Sequence, residues 1–383
     1  VQGVRVIDCT RVLAGPFATQ HLADQGADVV KVEPPGGDET RGYGPVVDGE
    51  STYFLALHRN KRSIVIDLRC PEGVAVLDRL LDGADVLVEN ARPDTAANLG
   101  FDPARVAERH PRLVHVSIRG FHPEVPDFGQ RPGYDVVVQA LGGGMALTGS
   151  PDRPPVRSAL PIADLFAGLL ASNAVLHGLF ERERTGRGGH VVVDMLQASA
   201  GALTYHATRA TVGGGSGPRR GNAHAGLVPY DAYPCADGWL AVGCGNDGLW
   251  RRLCAALSLN PPPGLDRNVD RVARRAEVDA LVAAALAPWP LADADRRLAD
   301  AGVPAAPVLT PEQTLAHPAV RTVTVPHPTF GDVALVGPMW STSSTRTEHT
   351  APPALGAHTD DLLAEVGFAA TDIARLRATS VVG

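Results

Sequence analysis

Residues 4–118 alternate short β-branched runs with helix-length stretches, and this alternation restricts the fold more than any other feature of the chain. Extended runs are expected at 4–8, 27–33, 85–89 and 113–118. Helices fall between them at 16–25, 71–82 and 103–110, the first opening on Pro16, a residue suited to a first helical turn. Strand, helix, strand in repetition is the pattern of βαβ crossovers, so the reading is α/β with a parallel sheet. Further on, a long helix is expected at 164–184, a strand at 190–194 and a helix at 195–210, before the linker-like Gly213-Gly214-Gly215-Ser216-Gly217-Pro218. A different texture follows, with helices at 247–257, 269–287 and 291–301. Extended chain is expected at 322–336 and helices at 359–366 and 371–378. The organisation expected is a large domain beginning at 1–200, a linker at 201–229, a small domain at 230–315, and a return to the large domain over 316–383.

Composition narrows the function classes. With 44% hydrophobic and 20% charged residues a sizeable core is available, and a net charge of −7 argues against nucleic acid as the main partner. The 41 glycines and 32 prolines imply many turns and extended connectors. Five cysteines without a C-x-x-C pair form no disulfide framework, so a cytoplasmic location is expected. The most apolar stretch, 165–180, carries Ser172, Asn173 and His177, and no membrane span or secretion signal is expected.

Glu33, at the end of the second expected strand, imitates the acidic residue with which dinucleotide-binding domains read a ribose. The glycines of that fingerprint are missing, since only Gly15 lies between Asp8 and Pro16. No phosphate loop, zinc-protease motif or clustered metal ligands appear, so no metal is expected. Asp164 stands at the start of the long helix, either as an ordinary N-cap or as a nucleophilic carboxylate beside free helix amides, with Ala163, Ala167 and Gly168 leaving room for a substrate. The run Arg59-Asn60-Lys61-Arg62-Ser63 is either solvated surface charge or a phosphate site, and Glu89-Asn90-Ala91-Arg92-Pro93 follows a strand end where open parallel sheets bind ligands.

Eight stretches in one order resemble the family III CoA-transferases, a group that includes the related α-methylacyl-CoA racemases. They are Val6-Ile7-Asp8-Cys9-Thr10-Arg11-Val12-Leu13-Ala14-Gly15-Pro16, residues 26–38, Arg59-Asn60-Lys61-Arg62-Ser63, residues 86–93, Arg131-Pro132-Gly133-Tyr134-Asp135, Arg184-Thr185-Gly186-Arg187-Gly188, Gly221-Asn222-Ala223-His224 and Leu355-Gly356-Ala357-His358-Thr359-Asp360. The resemblance implies a Rossmann-like large domain built from both ends of the chain, a smaller α+β domain, and an open ring interlocked with a second chain in a homodimer. It also implies that Asp164 is the catalytic carboxylate, attacking an acyl-CoA thioester to form an aspartyl anhydride and then an aspartyl-CoA thioester. Coenzyme A would be part of the substrate, with a small carboxylic acid as its acceptor, and no cofactor would be permanently bound.

The resemblance assigns CoA contacts to Val12, Leu13 and Ala14, to Ile66 and Arg69, to Asn90, Ala91 and Arg92, and to Gly133 with Tyr134. Ala91 stands where the family often has an aromatic residue and Asn98 where it often has a base, with Arg69 and Arg92 expected to compensate. The segment Gly120-Phe121-His122-Pro123 is also unusual for the family. The racemases resemble Gly-His-Asp where this chain has Gly133-Tyr134-Asp135, and a phenol is a poor base at neutral pH. Transfer of CoA is therefore expected. The alternatives are α-proton transfer with a second base such as His122, and acyl-CoA binding without catalysis.

Overall fold

The computed structural model describes residues 1–343, 345 and 347–383. The chain divides into two compact units, one formed by Val1–Gly144, Arg157–Gly215 and Arg321–Gly383, the other by Met145–Val156 and Ser216–Val320.

The first unit is organised by a six-stranded, all-parallel sheet. Its strands are β1 (Arg5–Cys9), β2 (Asp28–Glu33), β3 (Lys61–Val65), β4 (Val86–Glu89), β5 (Val114–Arg119) and β6 (Gly189–Asp194), in the order β3-β2-β1-β4-β5-β6. The order reverses between β1 and β4, and the crevice outside the carboxyl ends of these two strands is where such sheets bind ligands. Both faces are covered, so the strands bury apolar side chains on each side, and the polar residues they carry, among them Asp8, Lys31 and Ser117, are buried with hydrogen-bond partners. Val6, Val29 and Val86 join the core cluster on one face, and their neighbours Ile7, Val30 and Leu87 join the other.

Helices α1 (Ala14–Asp24) and α3 (Ile162–Thr185) cover the first face. The second is covered by α2 (Pro71–Asp82) and the chain's last helices, Thr359–Glu365 and Ala370–Ala378. Helix α3 buries its small residues Ala163, Ala167, Gly168 and Ala171. A Cβ on Gly168 would lie 2.6 Å from the Ala14 carbonyl oxygen, so only glycine lets α3 approach the start of α1 this closely. By length and composition alone α3 could cross a membrane, and it leaves Phe166, Leu169, Leu170, Leu176 and Phe180 exposed.

The second unit carries a three-stranded antiparallel sheet of Tyr230–Cys235, Gly238–Gly243 and Ala305–Pro307. Helices around Trp250, Leu253, Val278, Val282, Leu286 and Leu298 supply its core.

Several elements differ from expectation. The stretch 195–210 forms two helices, Met195–Ala202 and Tyr205–Val212, broken where Thr204 takes φ +47°. The stretch 269–287 likewise divides at Arg274, between Asn268–Ala273 and Arg275–Leu286. The basic run 59–63 is neither a solvated patch nor an open phosphate site, because Arg59, Asn60 and Lys61 are buried. Arg59 Nε donates to Asp24 at 2.9 Å and Lys61 Nζ to Asp8 at 3.1 Å, so aspartates distant in sequence neutralise the run from inside the unit.

Candidate active site

At the switch point the sheet presents a cavity of about 370 Å³. Its walls come from the loop after β1, the loop after β4, the segment after β5 and the first turn of α3. The loop after β1 is held from below. Asp8 accepts from Thr10 N at 3.0 Å and from Thr19 Oγ1 at 2.6 Å. Burial raises the Asp8 carboxyl, but Lys61, Lys31 and the two threonine bonds outweigh it and hold the group down at about 2. A Cβ on Gly15 would sit 2.2 Å from Thr10 Cβ, so this glycine is needed for the loop to fold against α1. Val12 takes φ +68°, a conformation that is costly for a β-branched residue.

Asn90 ties the two loops together. Its Oδ1 accepts from Arg11 N at 2.9 Å and its Nδ2 donates to Arg11 O at 2.8 Å. Asn90 therefore lines the cavity with its amide already committed to the neighbouring backbone. Beneath it, Glu89 accepts from both ends of the Arg119 fork at 3.0 and 2.6 Å and from Ala91 N at 2.9 Å. Burial opposes ionisation of Glu89, yet His115 and Arg119 hold its carboxyl at about 2. On the third wall Gly133 and Gly120 cross so closely that a Cβ on Gly133 would meet Gly120 Cα at 2.3 Å. The crossing carries Tyr134, 60% exposed, to the rim.

Asp164 faces this cavity from the first turn of α3. The helix starts two residues earlier than expected, at Ile162, so Asp164 is not the N-cap. Asp135 supplies the capping carboxylate, with Oδ1 accepting from Ala163 N at 3.0 Å. Burial first, and the Asp135 charge second, push the Asp164 carboxyl up to about 7. A carboxyl so perturbed in a cavity, and not used as a cap, is a candidate reactive group.

The structure thus brings together Val12, Leu13, Ala14, Asn90, Ala91, Arg92, Gly133, Tyr134 and Asp164. Ile66 and Arg69 do not line the cavity. Ile66 is 1% exposed within the core and bridges to Val382, while Arg69 is solvent-exposed and forked onto Asp67 at 2.8 and 2.9 Å. Asn98 and His122 also lie outside the cavity lining. Glu33 is no ribose reader, since it accepts from Arg41, Ser63 and the Asp38 backbone at 2.7–3.0 Å. Sequence reasoning missed Arg11, Glu39, Arg119, Arg131 and Met195 as cavity residues. Arg11 and Arg131 lie inside motif stretches already singled out, and Arg119 and Met195 flank strand ends, which was the available signal. Among the described residues no cluster of His, Cys, Asp and Glu could hold a metal ion.

The family model for CoA-transferase family III matches residues 1–359. The chain is 39% identical over 332 residues to a succinate–glutarate CoA-transferase of Agrobacterium fabrum, covering 84% of this chain and 83% of the relative. It is 35% identical over 378 residues to the human succinyl-CoA:glutarate CoA-transferase, covering 96% and 86%. A crystal structure of a CaiB/BaiF family protein from Brucella suis superposes with TM-score 0.83 at 35% identity, covering 95% of this chain and 98% of that one.

Proposed function

The chain belongs to CoA-transferase family III and is a CoA-transferase, and we propose that it exchanges CoA between short dicarboxylic acids with Asp164 as the covalent carrier. The observation that carries the reading is Asp164 itself: a carboxylate facing the switch-point cavity, unused as a helix cap and pushed up to about 7.

In the proposed sequence an Asp164 carboxylate oxygen attacks the thioester carbonyl of the donor. The C–S bond breaks, leaving a mixed anhydride and a CoA thiolate. The thiolate attacks the aspartyl carbonyl of the anhydride and expels the donor carboxylate, so CoA now rests on Asp164. The acceptor carboxylate attacks this aspartyl thioester, expelling the thiolate and forming a second anhydride. Attack of the thiolate on the acceptor's acyl carbon releases the new thioester and restores the Asp164 carboxylate. No proton is gained or lost over the cycle and nothing is oxidised.

The surroundings of Asp164 favour such intermediates. A half-buried carboxylate beside Asp135 pays for desolvation and repulsion, and acylation removes its charge and with it both costs. Arg11, Arg92 and Arg131 at the cavity supply cations for the CoA phosphates and for the second carboxylate of a diacid. The diacids are proposed because succinate and glutarate appear in the relatives' names. The exposed apolar side chains of α3 are consistent with a homodimer, which we propose to be interlocked as the family resemblance implies, and a cytoplasmic location is proposed from cysteine usage alone.

The test is to incubate the chain with succinyl-CoA and glutarate and follow glutaryl-CoA by mass spectrometry. Transfer should occur, Asp164→Ala should abolish it with the fold intact, and hydroxylamine should trap an acylated Asp164 only after donor is added. Near-normal turnover by the alanine variant would refute the assignment.

A further inference from the structure

Of the 35 basic residues only Lys31 and Lys61 are lysines, and both side chains are 0% exposed. Arginine serves every exposed basic position, whereas the two lysines occupy sites closed to solvent. Arg59, Arg119 and Arg271 are buried as well, but an ammonium presents its donors from one compact atom. Lys61 is spent within the core on Asp8, Thr19 and the Pro16 carbonyl, at 2.8–3.1 Å. Lys31 reaches outward from β2 to the cavity loop. Its Nζ donates to the Thr10 carbonyl at 2.9 Å and pairs with Asp38 Oδ2 at 2.8 Å.

Asp38 is fixed in turn, its Oδ1 accepting from Thr40 N at 3.0 Å and Thr40 Oγ1 at 2.7 Å. The same Oδ1 lies 3.5 Å from Val12 N. The ammonium thus grips the loop two residues before Val12, whose φ of +68° needs outside support to persist.

We propose that Lys31 is a positioning residue of the acyl-CoA site, fixing the Thr10 carbonyl and through it the left-handed turn at Val12, so that Val12, Leu13 and Ala14 meet CoA in a single conformation. This rests on the reading of the cavity as the CoA site. Lys31 touches none of the reacting atoms, and Asp164 is held separately by α3 and Asp135.

The test compares the full chain with Lys31→Met, Asp38→Asn, Val12→Gly and the double variant Lys31→Met with Val12→Gly. Calorimetry measures the Kd of free CoA, and steady-state kinetics the KM for succinyl-CoA and kcat. Lys31→Met should weaken CoA binding and raise this KM about tenfold, with kcat within about threefold. Glycine holds positive φ without strain, so the double variant should bind CoA more tightly than Lys31→Met alone. A role confined to stabilising the fold would lower the melting temperature without this rescue. Asp38→Asn keeps the lysine and the shape of its partner, and should show the same KM effect even if Lys31→Met fails to fold. Unchanged CoA affinity in both Lys31→Met and Asp38→Asn, or a double variant no better than Lys31→Met, overturns the proposal. A wild-type chain that turns over no CoA thioester and binds no CoA removes the underlying reading and the proposal with it.

Discussion

Replacing Asp164 with asparagine should make the protein more stable, and the gain should grow with pH. The carboxyl ionises near 3.8 in an unfolded chain and near 7 in the folded one, raised by burial and by Asp135. Between these values the folded state keeps a proton that the unfolded state has lost, so stability falls as pH rises. Below 3.8 the group is neutral in both states and costs nothing; above 7 it is ionised in both and the full cost applies. A shift of about three units corresponds to about 4 kcal/mol. Discounted for the water that still reaches the cavity, the gain from Asp164→Asn should be about 2–4 kcal/mol at pH 8 and about 1 kcal/mol at pH 5. Thermal melts of both proteins from pH 4 to pH 8 measure it, as a gap in melting temperature that opens with pH. The same variant should transfer no CoA. In the wild type, single-turnover acylation should speed up with pH through about 7 as the ionised fraction grows. A constant gap, or a wild type more stable than the variant at pH 8, would refute the claim that burial and Asp135 raise this carboxyl.

Gly168→Ala should destabilise the protein and lower kcat, although alanine is the better helix former by about 1 kcal/mol. The new Cβ would lie 2.6 Å from Ala14 O, and the forced shift of α3 should cost about 1–3 kcal/mol and move the turn that carries Asp164; a raised melting temperature with normal turnover would contradict the packing argument. In deuterated water a chiral 2-methylacyl-CoA should take up little α-deuterium, because Tyr134, which by the sequence resemblance stands where racemases have a histidine, is a phenol and His122 does not line the cavity. Rapid exchange that needs Asp164 but no acceptor acid would show that another group supplies a second base.

The βαβ frame was legible because its signals are local: periodicity, Pro71 at the start of α2, Pro16 within the first turn of α1, which opens two residues earlier than expected at Ala14, and β-branched runs of strand length. The burial of 59–63 was not, because charge is written in sequence while burial depends on distant partners. Arg59 meets Asp24, and Lys61 meets Asp8, only after the sheet has formed. The two readings of Asp164 could not be separated for the same reason. Whether a helix-start carboxylate is spent as a cap depends on what else caps the helix, and here that is Asp135, contributed by a different helix. The nine candidate residues gathered by the cavity belong to loops at neighbouring strand ends and the start of α3, whereas Ile66 and Arg69 follow β3, at the edge of the sheet with two strands between it and β4.

The strand order also explains how this chain dispenses with a glycine-rich loop. In dinucleotide-binding sheets glycines after the first strand let the backbone turn tightly and approach the ligand. Here the loop after β1 makes a left-handed turn with a valine at its centre. Side chains supply what the glycines would have given: Asp8 and Lys31 hold Thr10, and Asn90 clasps Arg11 from the neighbouring loop. Gly15 is the one glycine of this segment, and it serves to admit Thr10 against α1. The acidic residue at the end of β2 is freed from reading a ribose and instead anchors Arg41 and Ser63 beneath the site. The same sheet, open at the same switch point, thereby sets Val12, Leu13 and Ala14 along the wall of the cavity that Asp164 faces, without a glycine-rich cradle.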